Sequence, residues 1–278
     1  MNDVNSDGFA SRARSTLLRY RRSDGRTVGE EDIPRFTETL RLIGGISPSP
    51  QRVCDVGTFG GLEPALIELF GIREIITTGS MDSPEGGELV FLDKDGREAI
   101  RFPHHRFDLE DAFPLPDGSR DLVVFTEVLE HLSRDPMHTM SELNRITHLG
   151  GWLVLTTPNC ACLNSVLKAL RGDHPYNWSA YSRAGDRDRH NREYTPSEVV
   201  ALVKAAGYEI VSCSCVEVYD KQGSWPRRLA KWAASLVLSS MRRLLVNRDR
   251  AGWVGEVTFV LARKSGPVTE RKPSSLYY

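Results

Sequence analysis

The period of the apolar positions switches repeatedly along this chain between two and about 3.6, the mark of strands alternating with amphipathic helices. Strand-like runs fall at 52–57, 74–79, 99–107, 121–126 and 151–157, and between them Leu62–Phe70 and Met137–Ile146 carry helical spacing. A helix over Ile33–Ile43 precedes the first strand and is stopped by Gly44, Gly45 and the run Ser47-Pro48-Ser49-Pro50. Beyond Asn159 the spacing predicts helices over 160–171, Thr195–Ala206 and 225–248, and strands over Tyr208–Tyr219 and Glu256–Arg263. Such alternation builds an α/β fold on a mostly parallel, doubly wound sheet.

Two stretches interrupt the pattern. Glu88–Arg97 holds a turn signal between β-prone flanks, which predicts a small hairpin inserted between the second and third core strands. Residues 1–33 are charged and poor in large apolar side chains, apart from a stripe near Leu17, Leu18 and Tyr20, so a mobile or loosely docked arm is expected there. The domain proper is expected over 34–265, with an aperiodic aromatic and charged loop at 172–192, a C-terminal helical insertion at 225–248 and a flexible tail at 266–278.

Composition narrows the classes. A length of 278 residues suffices for one substantial core. A net charge of −1 and a pI near 6.7 leave no global electrostatic footprint for nucleic acid. The five cysteines, at 54, 160, 162, 213 and 215, form neither a disulfide framework nor a zinc spacing. The polar stretch Met1–Ser11 lacks the apolar run of a secretory leader, which points to the cytoplasm.

The richest segment chemically is Arg52-Val53-Cys54-Asp55-Val56-Gly57-Thr58-Phe59-Gly60-Gly61, a strand that enters a glycine turn and continues into a helix. Glycine reaches backbone conformations closed to other residues and lets the main chain approach a ligand, while the helix aims its first amides at it. The same turn also occurs in doubly wound domains for packing alone. Downstream, Phe107-Asp108-Leu109-Glu110, Glu127-Val128-Leu129-Glu130-His131 and Thr156-Thr157-Pro158-Asn159 follow strands, so several strand ends converge on one crevice.

Four motifs occur in order: Asp55-Val56-Gly57-x-x-x-Gly61; Asp117-Gly118-Ser119-x-Asp121 leading to Glu127-x-x-Glu130-His131; Leu149-Gly150-Gly151 before a strand; and His190-x-x-Glu193-Tyr194-Thr195. Together they resemble a class I S-adenosylmethionine-dependent methyltransferase over residues 50–215. The resemblance implies a Rossmann-like sheet of seven strands, the last antiparallel and slotted beside the fifth, and S-adenosyl-L-methionine as cofactor. It sets the methionine end of that cofactor against Asp55, Gly57, Gly61 and Glu127, and the adenine at Asp108 and the Leu109 amide. A carboxylate ordinarily closes the second strand to hold the ribose; Asp82 is the nearest candidate and reads equally as a turn-former before Ser83-Pro84. Phe59 stands where the family has its middle glycine, so a differently shaped turn is expected.

Glu127, Glu130 and His131 fall at i, i+3 and i+4, one face of a helical turn. In relatives with this Glu-x-x-Glu-His pattern, including ubiquinone-pathway O-methyltransferases and enzymes that methylate the 3′ ends of small RNAs, a metal orients the acceptor hydroxyls. The resemblance therefore implies Mg²⁺ or another divalent cation at Glu127, Glu130, His131 and His190, with His131 and Glu130 as catalytic groups. The alternative is that Glu130 and His131 cap and brace the helix.

The acceptor is less constrained. Tyr176, Trp178 and Tyr181, followed by Arg183, Arg187, Arg189 and Arg192, suit a sugar face or a phosphate, whereas the interleaved Asp186 and Asp188 suit a solvated, salt-bridged loop. Residues 225–250 carry seven basic side chains, Arg227, Arg228, Lys231, Arg242, Arg243, Arg248 and Arg250, against Asp249 alone. That segment either packs over the sheet edge or rests as a basic amphipathic helix on the inner membrane surface. The expected activity is O-methylation of a small-molecule or glycan hydroxyl. The alternatives are an RNA 3′-end ribose methyltransferase and a catalytically silent cofactor-binding or membrane-associated partner; the sequence leaves the oligomeric state open.

Overall fold

The computed structural model describes residues 7–58, 60–79, 87–176, 178, 180–181, 189–219, 225–245 and 252–278, and within 225–245 the side chains of 229, 231–241, 243 and 244. In chain order the elements are α1 (Asp7–Leu17), β1 (Arg21–Arg22), α2 (Ile33–Gly44), β2 (Arg52–Asp55), α3 (Glu63–Phe70), β3 (Glu74–Gly79), β4 (Gly87–Leu92), β5 (Glu98–Arg106) and β6 (Arg120–Thr126). A 3-10 turn at Leu129–His131 follows, then α4 (Pro136–Ile146), β7 (Thr147–Pro158), α5 (Leu163–Leu170), α6 (Pro196–Ala205), β8 (Tyr208–Val216), α7 (Trp225–Leu245) and β9 (Val257–Lys264).

The strands form one sheet in the order β1-β4-β5-β3-β2-β6-β7-β9-β8. The seven from β5 to β8 are the expected sheet, parallel from β5 through β7, with β9 antiparallel between β7 and β8. Strand alternation sorts the core between two faces. Cys54, Val123, Phe125, Leu153 and Leu155 meet Met140 and Leu143 of α4 and Val199 and Leu202 of α6. Val53, Leu122, Val124 and Val154 meet α1, α2 and α3 through Leu17, Leu40 and Leu66. The helices start on local signals: the Asp135 side chain accepts from the Met137 amide ahead of α4, and Thr195 and Glu198 form a capping box at α6. Each such cap contributes about 1 kcal/mol.

Five expectations change. The hairpin expected near 88–97 is formed by β4 and β5, and its second arm, β5, is itself the third core strand, paired in parallel with β3. β1 pairs with β4 and brings the sheet to nine strands. Residues 7–33, assigned from sequence to a mobile arm, contain α1, which buries Phe9, Ala13 and Leu17 in the face shared with α2 and α3. The tail expected over 266–278 is docked: the amides of Thr269 and Glu270 donate to the Ala205 carbonyl, and the Tyr277 hydroxyl donates to Asp135. β7 also starts earlier than expected, at Thr147, with Gly150 at φ +82° and a register shift opposite Arg120–Leu122.

Candidate active site

From β2 the chain winds outward through β3 to β5, then returns to place β6 on the other side of β2. That reversal opens a crevice beyond the carboxyl ends of β2 and β6, the general ligand position in such sheets. A cleft of about 180 Å³ lies there. Asp55, Gly57, Thr58, Thr126, Glu127 and His131 line it from the strand ends, and Arg35 and Phe36 line it from α2.

The turn after β2 is held by its own side chains. Gly57 sits at φ +74°, its amide donates to Thr78 Oγ1 at 3.0 Å, and a Cβ there would lie 2.7 Å from Val128 Cγ2. Only glycine fits both the conformation and the space. Glu63, fully buried at the start of α3, accepts from the Thr58 hydroxyl at 2.6 Å and from the Gly61 amide at 2.8 Å, which folds the turn back on the helix. Phe59, the departure from the family turn, lies outside the described residues.

Asp55 is nearly fully buried. Burial and the neighbouring Glu63 hold its carboxyl well above the usual carboxylate range, with Thr58 and Arg35 opposing. Burial works against the charge of Arg35, yet Glu127, Tyr219 and Asp32 raise its pKa above the ordinary value. Glu127, at the end of β6, takes φ +54°, a left-handed conformation that costs a side-chain-bearing residue roughly 1–3 kcal/mol. Its amide donates to the Thr156 carbonyl at 2.9 Å and its carboxylate accepts from the Thr156 hydroxyl at 2.8 Å, which fixes it at the cleft.

S-adenosylmethionine carries a sulfonium and an ammonium, and this cleft presents the carboxylates of Asp55 and Glu127 beside main chain that only glycine allows so close. The donor set fits. Leu109 Cδ1 lies 3.3 Å from where a Cβ at Gly57 would stand, and Asp108 is engaged by the Glu110 amide at 2.9 Å and by Arg134 at 3.3 Å at the rim. Asp82 lies outside the described residues, so the ribose carboxylate has no described candidate at the end of β3.

The second cluster forms where residues 189–192 cross the 3-10 turn. Ligand atoms of Glu130, His131 and His190 lie within 4.8 Å of one another. Glu130 is fully buried; its Oε2 accepts from the Thr157 hydroxyl at 2.8 Å, while its Oε1 has no hydrogen-bond partner. Burial first and Glu127 second raise its pKa well above the carboxylate range. His131 Nδ1 lies 3.0 Å from the Arg189 carbonyl, which only accepts, so Nδ1 donates, and Nε2 faces Glu130 Oε1 at 3.9 Å. His190 Nδ1 lies 2.8 Å from Glu193, which orients that ring in the same way. A buried carboxyl oxygen without a hydrogen bond, beside two imidazole rings, is a donor set suited to a divalent cation. Glu127, expected as a fourth ligand, stands apart from this group and is held instead by Thr156 and, at 3.4 Å, by the Tyr219 hydroxyl.

A second cleft of about 230 Å³, lined by Tyr176, Tyr181, Arg189 and His190, adjoins the first. The two meet at the rings of His131 and His190, whose centroids lie 4.9 Å apart. Of the aromatic residues expected at the acceptor, Tyr181 is largely exposed with the Arg189 guanidinium 5.5 Å from its ring, and the Trp178 amide donates to Glu193 at 3.0 Å. Arg192 is tied to Glu198 at 2.6 Å, away from a phosphate role. Arg183, Asp186, Arg187 and Asp188 lie outside the described residues. The sequence reading missed Arg35, Phe36 and Glu63; the signal available was a charge at 35 and at 63 inside otherwise apolar helical stripes.

The chain matches the model of a methyltransferase domain family over residues 29–213. It therefore belongs to that family, among the class I S-adenosylmethionine-dependent methyltransferases. A Mycolicibacterium smegmatis protein whose name reads probable S-adenosylmethionine-dependent methyltransferase is 33% identical over 97 residues, 35% of this chain. The aligned part spans about a third, 32%, of that relative's length. Among solved structures, the complex of the Haloferax volcanii Trm112 methyltransferase activator with a methyltransferase aligns with a TM-score of 0.53 at 15% identity, over 96% of this chain and 99% of that one. An S-adenosylmethionine-dependent methyltransferase of Archaeoglobus fulgidus aligns with a TM-score of 0.49 at 15% identity, over 85% and 95% of the two chains.

Proposed function

We propose that the protein transfers the methyl group of S-adenosyl-L-methionine to a hydroxyl oxygen of a small-molecule acceptor with neighbouring hydroxyls, such as a sugar, and that Glu130, His131 and His190 hold a divalent cation beside it. One observation carries this reading: the donor cleft and the aromatic cleft meet at His131 and His190, beside the unpartnered Oε1 of Glu130.

The cofactor supplies a methyl group on a positively charged sulfur, an electrophile. Asp55, Gly57 and Glu127 would hold its methionine end and Leu109 would cover its adenine, which leaves the chain with one task at the acceptor: placing an oxygen in line. An alcohol is a weak nucleophile until its proton leaves. A bound divalent cation would polarise that hydroxyl and lower the barrier at neutral pH. Nε2 of His131, 3.9 Å from Glu130 Oε1 at the junction, would serve either as a ligand or as the base that takes the proton. Thr157 and Glu193 fix Glu130 and His190, and Tyr181 offers a flat face to a ring.

Incubation of the purified chain with methyl-labelled cofactor and cell-envelope glycan, lipid and RNA fractions tests the acceptor class. Label in a base-stable ether on a glycan or small molecule supports the reading, and label confined to RNA or to a nitrogen contradicts it. Activity lost in chelator and restored by Mg²⁺ or Mn²⁺ assigns Nε2 of His131 as a ligand; activity retained in chelator but lost in His131→Ala assigns it as the base.

A further inference from the structure

Among the described side chains of α7, all the large apolar ones but Leu238 are exposed. Leu229, Trp232, Leu236, Val237, Met241 and Leu244 recur at helical spacing along one side, and every one is exposed, from 48% at Leu236 to 86% at Leu244. Among the described side chains of the helix, the half-buried ones are Lys231, Ala234, Ser235, Leu238 and Ser239, mostly small or polar. A helix packed on a globular core shows the opposite arrangement, and so long an exposed apolar stripe marks an interaction surface.

Charge selects the occupant. α7 carries Arg227, Arg228, Lys231, Arg242 and Arg243 and no acidic residue, in a chain whose net charge is −1. A second copy docking through the same helix would set like charges face to face, and an apolar groove on another protein answers the stripe without answering the positive charge. An anionic lipid surface answers both: the apolar side chains sink into the boundary between headgroups and acyl chains, and the arginines, Lys231 being paired within the protein, meet the headgroups. Trp232, on the exposed side, is a residue type that favours that depth. No helix among the described residues is long and apolar enough to cross a membrane, so the contact runs along the surface.

The helix is also anchored next to the cleft. Lys231 pairs with Glu217 and, at 3.6 Å, with Glu256. Glu256 in turn accepts from the Tyr219 amide at 3.0 Å and from Asn164 Nδ2 at 2.8 Å, and the Tyr219 hydroxyl reaches Glu127. α5, packed against α7, adds the exposed Leu167 and Leu170 to the same region.

We infer that α7, together with Leu167 and Leu170, is an interfacial docking surface for an anionic lipid bilayer, which brings the rim of the cleft to the headgroups. Co-sedimentation of the full chain with phosphatidylglycerol vesicles, alongside phosphatidylcholine vesicles, tests this without reference to methyl transfer. The expected result is binding to the anionic vesicles that weakens about tenfold or more at high salt. Leu236→Asp combined with Met241→Asp should weaken it by a further tenfold or more at an unchanged thermal midpoint, and Arg243→Glu, which spares the stripe, by about five- to tenfold. Absence of binding to anionic vesicles, or equal binding to neutral ones, overturns the inference. A lipid-free dimer that the double variant dissociates overturns it as well, by making a second copy the occupant.

Discussion

On the proposed reading, the donor side of the cleft is one continuous turn and the acceptor side a meeting of segments distant in sequence. Gly57, Thr58, Gly61 and Glu63 fall within seven consecutive positions, 57–63, and their bonds stay inside the β2–α3 turn or reach the adjoining strand β3. On the acceptor side, His131 is joined to Arg189 across 58 residues of sequence, and its own carbonyl accepts from Asn191 Nδ2 across 60. The first half is therefore a local device that a change of one residue type breaks. The second is a contact between distant segments, and its members are expected to fail more gradually.

The largest effect should come from Gly57→Val. A side chain at φ +74° is strained, and its Cβ would intrude on Val128 and Leu109, so cofactor affinity measured by calorimetry should fall at least about hundredfold. Unchanged affinity would detach the glycine turn from cofactor binding. Next, Glu130→Ala should cut turnover by roughly 10²–10³-fold while leaving the cofactor Kd within about threefold, because Glu130 belongs to the acceptor half. A parallel loss of cofactor binding would erase the division between the halves. His190→Ala should reduce turnover and cation affinity by about 10–100-fold, the usual range for a single ligand or its support. Tyr219→Phe removes one 3.4 Å hydrogen bond to Glu127 and should change turnover by no more than about threefold, with Glu127 still held by Thr156.

What could be read from the sequence follows the same division. The strand-turn-helix at 52–70 announces itself through Gly57, Gly61 and Pro64, local requirements that any context preserves. The Glu130, His131 and His190 grouping was legible only through resemblance to a family, since nothing local in 189–192 says which turn it crosses. α1 escaped because its buried stripe, Phe9, Ala13 and Leu17, depends on a small alanine at its centre and on the docking faces of α2 and α3. The tail at 266–278 has no periodicity of its own. It is fixed by backbone bonds at Ala205 and Gly207, where a Cβ at Gly207 would collide with the Pro267 carbonyl. The turn at 93–96 was correctly read, but that β5 is a core strand as well as a hairpin arm depends on its pairing with β3, a tertiary fact.

Diffraction from crystals grown with S-adenosylhomocysteine and manganese tests the two-sided site most directly. The account predicts the donor analogue in the cleft lined by Asp55, Gly57 and Glu127, and an anomalous peak bonded to Glu130 Oε1 and to Nε2 of both His131 and His190. An analogue bound elsewhere, or a fully active enzyme with no peak at those three side chains, would contradict it.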